Sequence, residues 1–415
     1  MDVLGREFSF FTGNYRVLVV SWILIDLAME MPTPNFQYYV QALEGTGVAL
    51  GIIGLANFLA MAVVAFPGGY LADRYGRRWL ITTMTFGMAL SNLLFAFAPT
   101  WHFILLGSII SNLFLIYQPA LFAMFQDSLP PERRGIGSSI TELIRGTVNT
   151  PGPAIAGFLF LQYGLVPSMR IIYVIMTTLY LIAAVWRLRL KETMTKAEPI
   201  RLRYFISSYP KALKESVKVW KSVPRSMFWL FIGQTLIMFG YSLTQVINAL
   251  YARDVLSIPE EQWWVVFIPL FVTMIIASIP IGKMIDKIGR KIPLILGLFT
   301  FAIANLIFVT ANLVPARLFT VMISMCLFGI AQLLVMSALT AFLTDLVDPE
   351  NRGKVNGFIN FIGYITMGIG MLLGNYFYES VTRQSPFYVT LGLIVTTLII
   401  TLFRIHEPKK QVGSA

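Results

Sequence analysis

Two carboxylates four residues apart, Asp26 and Glu30, lie inside the first long apolar stretch of the chain. That spacing places both on one face of a helix, about 6 Å apart along its axis. Two acids so close in apolar surroundings favour the neutral form of at least one, through desolvation and mutual repulsion. Such a pair can take up and release a proton. By residue count Asp26 lies near mid-depth and Glu30 higher, just before Pro32 and Pro34; a position at the outer mouth is the alternative. A later apolar stretch carries Glu142 and Arg145, three residues apart. They either pair locally or present Arg145 to the first stretch as the counter-charge of Asp26. Ionisable groups inside apolar spans are costly and mark functional sites.

A second set of charges is arranged for holding rather than for proton exchange. Gly69-Tyr70-Leu71-Ala72-Asp73-Arg74-Tyr75-Gly76-Arg77-Arg78 has a weaker copy, Gly282-Lys283-Met284-Ile285-Asp286-Lys287-Ile288-Gly289-Arg290-Lys291. Each is a basic turn with one aspartate, set between long apolar segments. Farther along, Phe125-Gln126-Asp127-Ser128-Leu129-Pro130-Pro131-Glu132-Arg133-Arg134-Gly135 matches Leu343-Thr344-Asp345-Leu346-Val347-Asp348-Pro349-Glu350-Asn351-Arg352-Gly353, with Asp, Pro, Glu, Arg and Gly in register. Asp73 can contact the positive N-terminal end of a neighbouring helix, while Arg77 and Arg78 engage carboxylates or lipid headgroups. Asp127 is the expected partner.

The elements that position these groups follow from composition. Of 415 residues 56% are hydrophobic and 13% charged, against about 25% charged in a soluble domain. Most of the surface therefore faces lipid. The net charge of +11 sits in short loops between apolar segments, which excludes a nucleic-acid face. The single Cys326 excludes an intrachain disulfide, and His102 and His406 near segment ends make no metal or catalytic cluster. About 20 apolar residues cross a bilayer as a helix, and twelve such spans are expected, at about 16–39, 46–72, 79–98, 101–126, 136–163, 168–187, 226–251, 262–284, 292–312, 316–343, 354–378 and 385–404. All twelve lysines fall in the termini or the loops after even-numbered spans, and the opposite side carries only Arg170, Arg253, Arg317 and Arg383. The positive-inside rule then puts both termini in the cytoplasm. Two six-helix bundles, 1–187 and 226–405, flank a linker at 188–225, and 406–415 is a cytoplasmic tail. In the linker, Lys211–Ser222 sets Leu213, Val217 and Trp220 on one helical face, with Lys211, Lys214, Lys218 and Lys221 elsewhere. This is an amphipathic helix on the anionic headgroups of the inner leaflet, or a solvated tether.

Gly69 to Leu80 resembles the signature loop of the major facilitator superfamily, with its glycines, Leu-Ala-Asp-Arg and paired basic residues in place. The resemblance implies an all-α membrane fold of twelve helices in two pseudo-symmetric bundles, related by an axis along the membrane normal, with the substrate site between them. It also implies that Gly69, Asp73, Arg74, Gly76, Arg77, Arg78, Asp127, Asp286 and Arg290 form a cytoplasmic latch in the outward-open state. Asp26 followed by Pro32 looks like the drug:proton antiporter subgroup. Pro151-Gly152-Pro153-Ala154-Ile155-Ala156-Gly157 resembles the exporters' Gly-Pro-x-x-Gly-Gly motif, with Ala156 replacing a glycine and Gly152, Pro153 and Gly157 giving a kink. Many such exporters carry an arginine in the fourth span, and this chain has none between Trp101 and Gln126.

Tyr117, Gln118, Gln234, Tyr241, Gln245, Asn248, Gln332, Asn356, Asn360 and Tyr364 are expected to line the cavity, though each can equally act as hydrogen-bonding glue between helices. Asn356, Asn360 and Tyr364 share one face. So few fixed charges suit a small amphiphilic solute. The expectation is a monomeric, multi-pass secondary transporter of the cytoplasmic membrane, working by alternating access as a proton-coupled exporter. It is no enzyme and needs no cofactor beyond the proton. Proton-coupled uptake of a small nutrient and a non-transporting sensor are the alternatives.

Overall fold

Lipid offers the backbone no hydrogen bonds, so a chain that crosses it does so as helix or closed barrel. In the computed structural model every regular element among the described residues is helical. The structure describes residues 11–74, 76–129, 141, 144, 147–148, 151–193, 210, 214, 218, 220, 223–347 and 349–407; at 66–74, 286, 349–351 and 353–354 it describes the backbone alone.

Among the described residues, eleven helical stretches are long and apolar enough to span a membrane. Spans 1 to 4 are Gly13–Ala42, Gly47–Ala65 (in a helix running to Arg74), Arg77–Ala96 and Trp101–Asp127. Span 6 is Leu165–Arg187. Spans 7 to 12 are Arg225–Gln245, Glu260–Ile285, Lys291–Leu313, Arg317–Leu346, Val355–Ser380 and Ser385–Arg404. Of the expected span 5, the helix Pro151–Tyr163 is described. Span 1 breaks where Pro32 and Pro34 remove backbone donors: its helix ends at Glu30, a 3-10 turn covers Thr33–Asn35, and a short helix runs Phe36–Ala42. Thr33 Oγ1 donates to the Met29 carbonyl at 3.2 Å, satisfying part of that break.

The chain forms two compact units, Met1–Ala212 with Glu260–Val265, and Leu213–Pro259 with Val266–Ala415. In the first, span 6 packs on spans 1 and 3, span 3 on span 4, span 4 on span 2, and the Pro151–Tyr163 helix on span 1. In the second, span 12 packs on spans 7 and 9, span 9 on span 10, span 10 on span 8, and span 11 on span 7. Each neighbour pair of one half thus has its counterpart in the other.

The duplication reaches side chains that the sequence does not align. At the end away from the basic turns, Tyr39 Oη donates to the Phe95 carbonyl at 2.8 Å, and Tyr251 Oη donates to the Val309 carbonyl at 2.8 Å. Tyr39 and Phe95 lie 6.0 and 4.9 Å from the Tyr173 ring, and Tyr251 and Phe308 lie 4.7 and 5.4 Å from Phe387. The first trio joins the first, third and sixth spans of its half; the second joins the ninth and twelfth spans to the short helix Ile247–Asp254 that follows the seventh. Because each tyrosine satisfies a carbonyl at a helix end, Tyr39→Phe and Tyr251→Phe should each cost about 1–2 kcal/mol. Thermal unfolding of the detergent-solubilised protein should show similar losses for the two, and a loss confined to one would break the equivalence.

Candidate functional site

Each half carries a charged clamp where its basic turn enters its third span. Gly76 (φ 88°) and Gly289 (φ 91°) start the helices of spans 3 and 9 in a left-handed conformation that suits glycine. The first N–H groups of a helix lack internal partners and carry the positive end of its dipole. In the first half the Glu192 carboxylate takes both, accepting from Arg77 N at 3.2 Å and Arg78 N at 3.0 Å. In the second half Glu407 accepts from Arg290 N at 2.6 Å and Lys291 N at 2.9 Å. The arginine after each glycine pairs with the aspartate at the end of the next span. Arg77 Nη1 pairs with Asp127 Oδ2, and Arg290 Nε lies 2.8 Å from Asp345 Oδ2. Arg78 Nη2 also donates to the Leu188 carbonyl at 3.0 Å, and Lys291 Nζ to the Leu402 carbonyl at 2.9 Å. Spans 3, 4 and 6, and likewise 9, 10 and 12, are therefore tied at one end by a carboxylate cap and an ion pair.

Glu192 is the carboxylate at the start of span 3; the helix-end contact expected of Asp73 rests on a side chain outside the described residues. Gly69, Asp73 and Arg74 lie in the helix Gly47–Arg74 and Asp286 in Phe267–Ile288, with only their backbone described. Glu142 and Arg145 lie outside the described residues.

Asp26 is buried, with 6% of its surface exposed, on the helix that ends at Glu30. Gly152 approaches that helix so closely that a Cβ would stand 2.9 Å from Glu30 Cβ and 3.2 Å from the Leu27 carbonyl oxygen. The glycine-proline motif of span 5 is therefore pressed against span 1 at Leu27 and Glu30. Gly157, a turn and a half on, leaves room for the Trp264 indole, which any Cβ there would overlap.

Two expectations change. Tyr117 is not a cavity residue: 3% exposed, it is packed in the first half's core, with the Arg187 guanidinium 5.4 Å from its ring centre. Trp220 is not presented to a lipid surface, because its ring packs 4.8 Å from Phe231 and 5.5 Å from Phe358 in the second half's core. Arg187, the last residue of the first bundle, is fully buried. Gln118, Gln234, Gln245, Asn248, Asn360 and Tyr364 are half-buried, and Tyr241, Gln332 and Asn356 are exposed. Asn356, Asn360 and Tyr364 do share a face, beside a stripe (Val355, Ile359 and Gly363) that packs inward, Gly363 against Met238 of span 7.

The family model described as Major Facilitator Superfamily matches residues 18–264 and 230–415. The chain belongs to the major facilitator superfamily. It is a transporter, not an enzyme, and a multi-pass membrane protein with the twelve-helix facilitator fold. It is 25% identical to "Multidrug resistance protein MdtG" of Citrobacter koseri over 96% of this chain and 97% of that one. It is 23% identical to "Multi-drug resistance efflux pump PmrA" of Streptococcus pneumoniae, covering 94% and 96%. Among solved structures it is similar to a D-xylose-proton symporter (TM-score 0.74, 14% identity, covering 95% and 98%) and to the nucleoside transporter NupG (TM-score 0.72, 14% identity, covering 94% and 98%).

The facilitator's two capping acids escape a motif search, since only a lone glutamate recurs after spans 6 and 12, in Leu190-Lys191-Glu192 and Ile405-His406-Glu407. Burial is the signal that joins them: Leu190 and Ile405 are both buried. Glu192→Ala and Glu407→Ala should each cost about 1 kcal/mol, as for lost helix caps, read as a fall in thermal midpoint in detergent. Gly152→Val should cost more, about 1–3 kcal/mol, because span 5 must move off span 1; an unchanged midpoint would contradict that close approach.

Proposed function

We propose that this facilitator is a proton-driven exporter of small amphiphilic solutes, with Asp26 as the proton carrier and both termini and the basic turns in the cytoplasm. The observation that carries the proton role is the burial of Asp26, one turn before Glu30, on a helix held tightly by Gly152. Protonation removes a buried charge, a change large enough to shift the balance between two packings.

Export is favoured by relatives spanning nearly the whole chain whose names are those of multidrug resistance and efflux proteins. The solved symporter, at 14% identity, speaks for the fold alone. A half-exposed polar face of Asn356, Asn360 and Tyr364 with no formal charge suits a solute of mixed character. The Arg77–Asp127 and Arg290–Asp345 clamps act as the latch that steadies one of the two alternating states.

The test uses proteoliposomes with an imposed pH gradient and ethidium as the probe. The wild-type protein should accumulate dye against its gradient only when the pH gradient is present. Asp26→Asn fixes the neutral form and should abolish concentrative movement while sparing dye binding, and Glu30→Gln should do less. Concentrative transport by Asp26→Asn at the wild-type rate would remove Asp26 from the mechanism.

A further inference from the structure

Of the seven arginines in the second half, five direct their charge at this chain. Arg290 pairs with Asp345 and Arg253 with Asp254, while Arg317, Arg352 and Arg383 donate to the carbonyls of Leu256, Val347 and Asp254. The other two, Arg225 and Arg404, are exposed and have no carboxylate or carbonyl partner among the described residues. Both stand beside one tryptophan. Arg225 opens span 7, and Trp229 lies one turn on along the same face. Arg404 closes span 12, which packs on span 7, and its guanidinium lies over the Trp229 ring, 5.2 Å from its centre.

The clamp fixes the backbone on which Arg404 stands, because Ile405 after it is buried and Glu407 seals the start of span 9. A guanidinium laid over an indole keeps its N–H edge open, and that edge matches the oxygens of a phosphate in pairs. The surface around the two cations is apolar: Phe228 is 50% exposed, Leu402 44% and Phe403 73%. The Phe228 ring meets Trp229 edge-on at 5.9 Å. Tryptophan and basic residues at a span end mark the level of the lipid headgroups. A ligand that satisfies this surface carries an anionic phosphate and hydrocarbon chains together; free phosphate supplies only the first. The first half has a smaller version of the same feature. With Glu192 and Glu407 in register, Arg189 stands where the second half has Arg404, 4.2 Å from the ring centre of Trp186. There the tryptophan belongs to the arginine's own helix, whereas Arg404 reaches across to a neighbour.

We propose that Arg225, Trp229 and Arg404 form a binding site for the phosphate of an anionic phospholipid, whose acyl chains lie along Phe228 and Phe403. The site does not depend on proton exchange at Asp26 or on the direction of transport, and it belongs to whichever leaflet the clamps face. A bound headgroup joins the first and last spans of the second half at their clamp end, next to the ion pair of Arg290 and Asp345. Two cations that the chain leaves unpaired are then neutralised by the membrane itself.

The experiment titrates dioleoyl-phosphatidylglycerol onto the detergent-solubilised full chain and reads the first bound lipid by native mass spectrometry. Dioleoyl-phosphatidylethanolamine and inorganic phosphate are the comparisons. Phosphatidylglycerol should bind more tightly than phosphatidylethanolamine with the same chains. Arg225→Gln and Arg404→Gln should each weaken it about fivefold, and Arg404→Lys, which keeps the charge without the fork, should fall between. Trp229→Leu should also weaken it, while Trp229→Leu/Arg404→Gln should lose little beyond Arg404→Gln, because the ring acts through the guanidinium. Lys287→Gln removes an exposed cation from the same end of this half and should leave the affinity unchanged. Equal weakening by Lys287→Gln and Arg404→Gln would reduce the site to a general positive field and overturn it. Wild-type affinity in both Arg225→Gln and Arg404→Gln overturns it as well. Equal binding of phosphatidylethanolamine removes the anionic requirement, and displacement of the lipid by millimolar inorganic phosphate assigns the arginines to a soluble anion; either result overturns the lipid site.

Discussion

Lipid supplies neither hydrogen bonds nor counter-ions, and every polar group of this chain is placed under that constraint. Hydroxyls within the spans turn back on their own helices, as Thr85 does to the Ile81 carbonyl at 2.6 Å and Thr177 to the Tyr173 carbonyl at 2.8 Å. Side chains at span ends cover the carbonyls and amides that helices leave open: Tyr39 and Tyr251 at one end, Glu192 and Glu407 at the other. Among the described residues most formal charges gather at the ends, where water and headgroups reach them. Against that background Asp26 and Arg187 stand out as buried charged side chains.

What the sequence reveals and hides follows from how local each signal is. The span layout is legible because twenty apolar residues in a row carry the information by themselves. The Arg77–Asp127 pair is legible because two charged turns recur in register, so Asp127 and Asp345 announce each other. The capping role of Glu192 is hidden, since its partners lie 114 and 115 residues earlier and no neighbouring residue marks it. The aromatic trios are hidden for the same reason: Tyr39 finds the Phe95 carbonyl 56 residues away. Arg187 misleads because an arginine at the end of an apolar run normally snorkels toward the interface, whereas Ser21 and Thr85 draw this one inward. Tyr117 misleads in turn, since a polar aromatic in a span looks like cavity lining until the cation above it is seen.

Two halves with one scaffold and unequal interiors divide the labour. The clamps and outer trios repeat closely enough to act as a frame, while the buried acid and cation appear in the first half and the half-exposed Asn356, Asn360 and Tyr364 face belongs to the second. Duplication thus preserves what holds helices together and leaves each core free to take on its own chemistry.

The clamp also sets an order of events during synthesis. In each half the acid that seals the third span lies beyond the end of the sixth, at Glu192 and Glu407. Asn14 adds a second closure, its amide donating to the Lys191 carbonyl at 2.8 Å and accepting from Lys191 N at 2.7 Å. The start of the first span and the start of the third are therefore both finished by residues that leave the ribosome only after the whole half has emerged. A half-made bundle has open helix ends facing the membrane surface, and its last few residues act as the drawstring that shuts it. Each half is sealed by its own chain, in sequence.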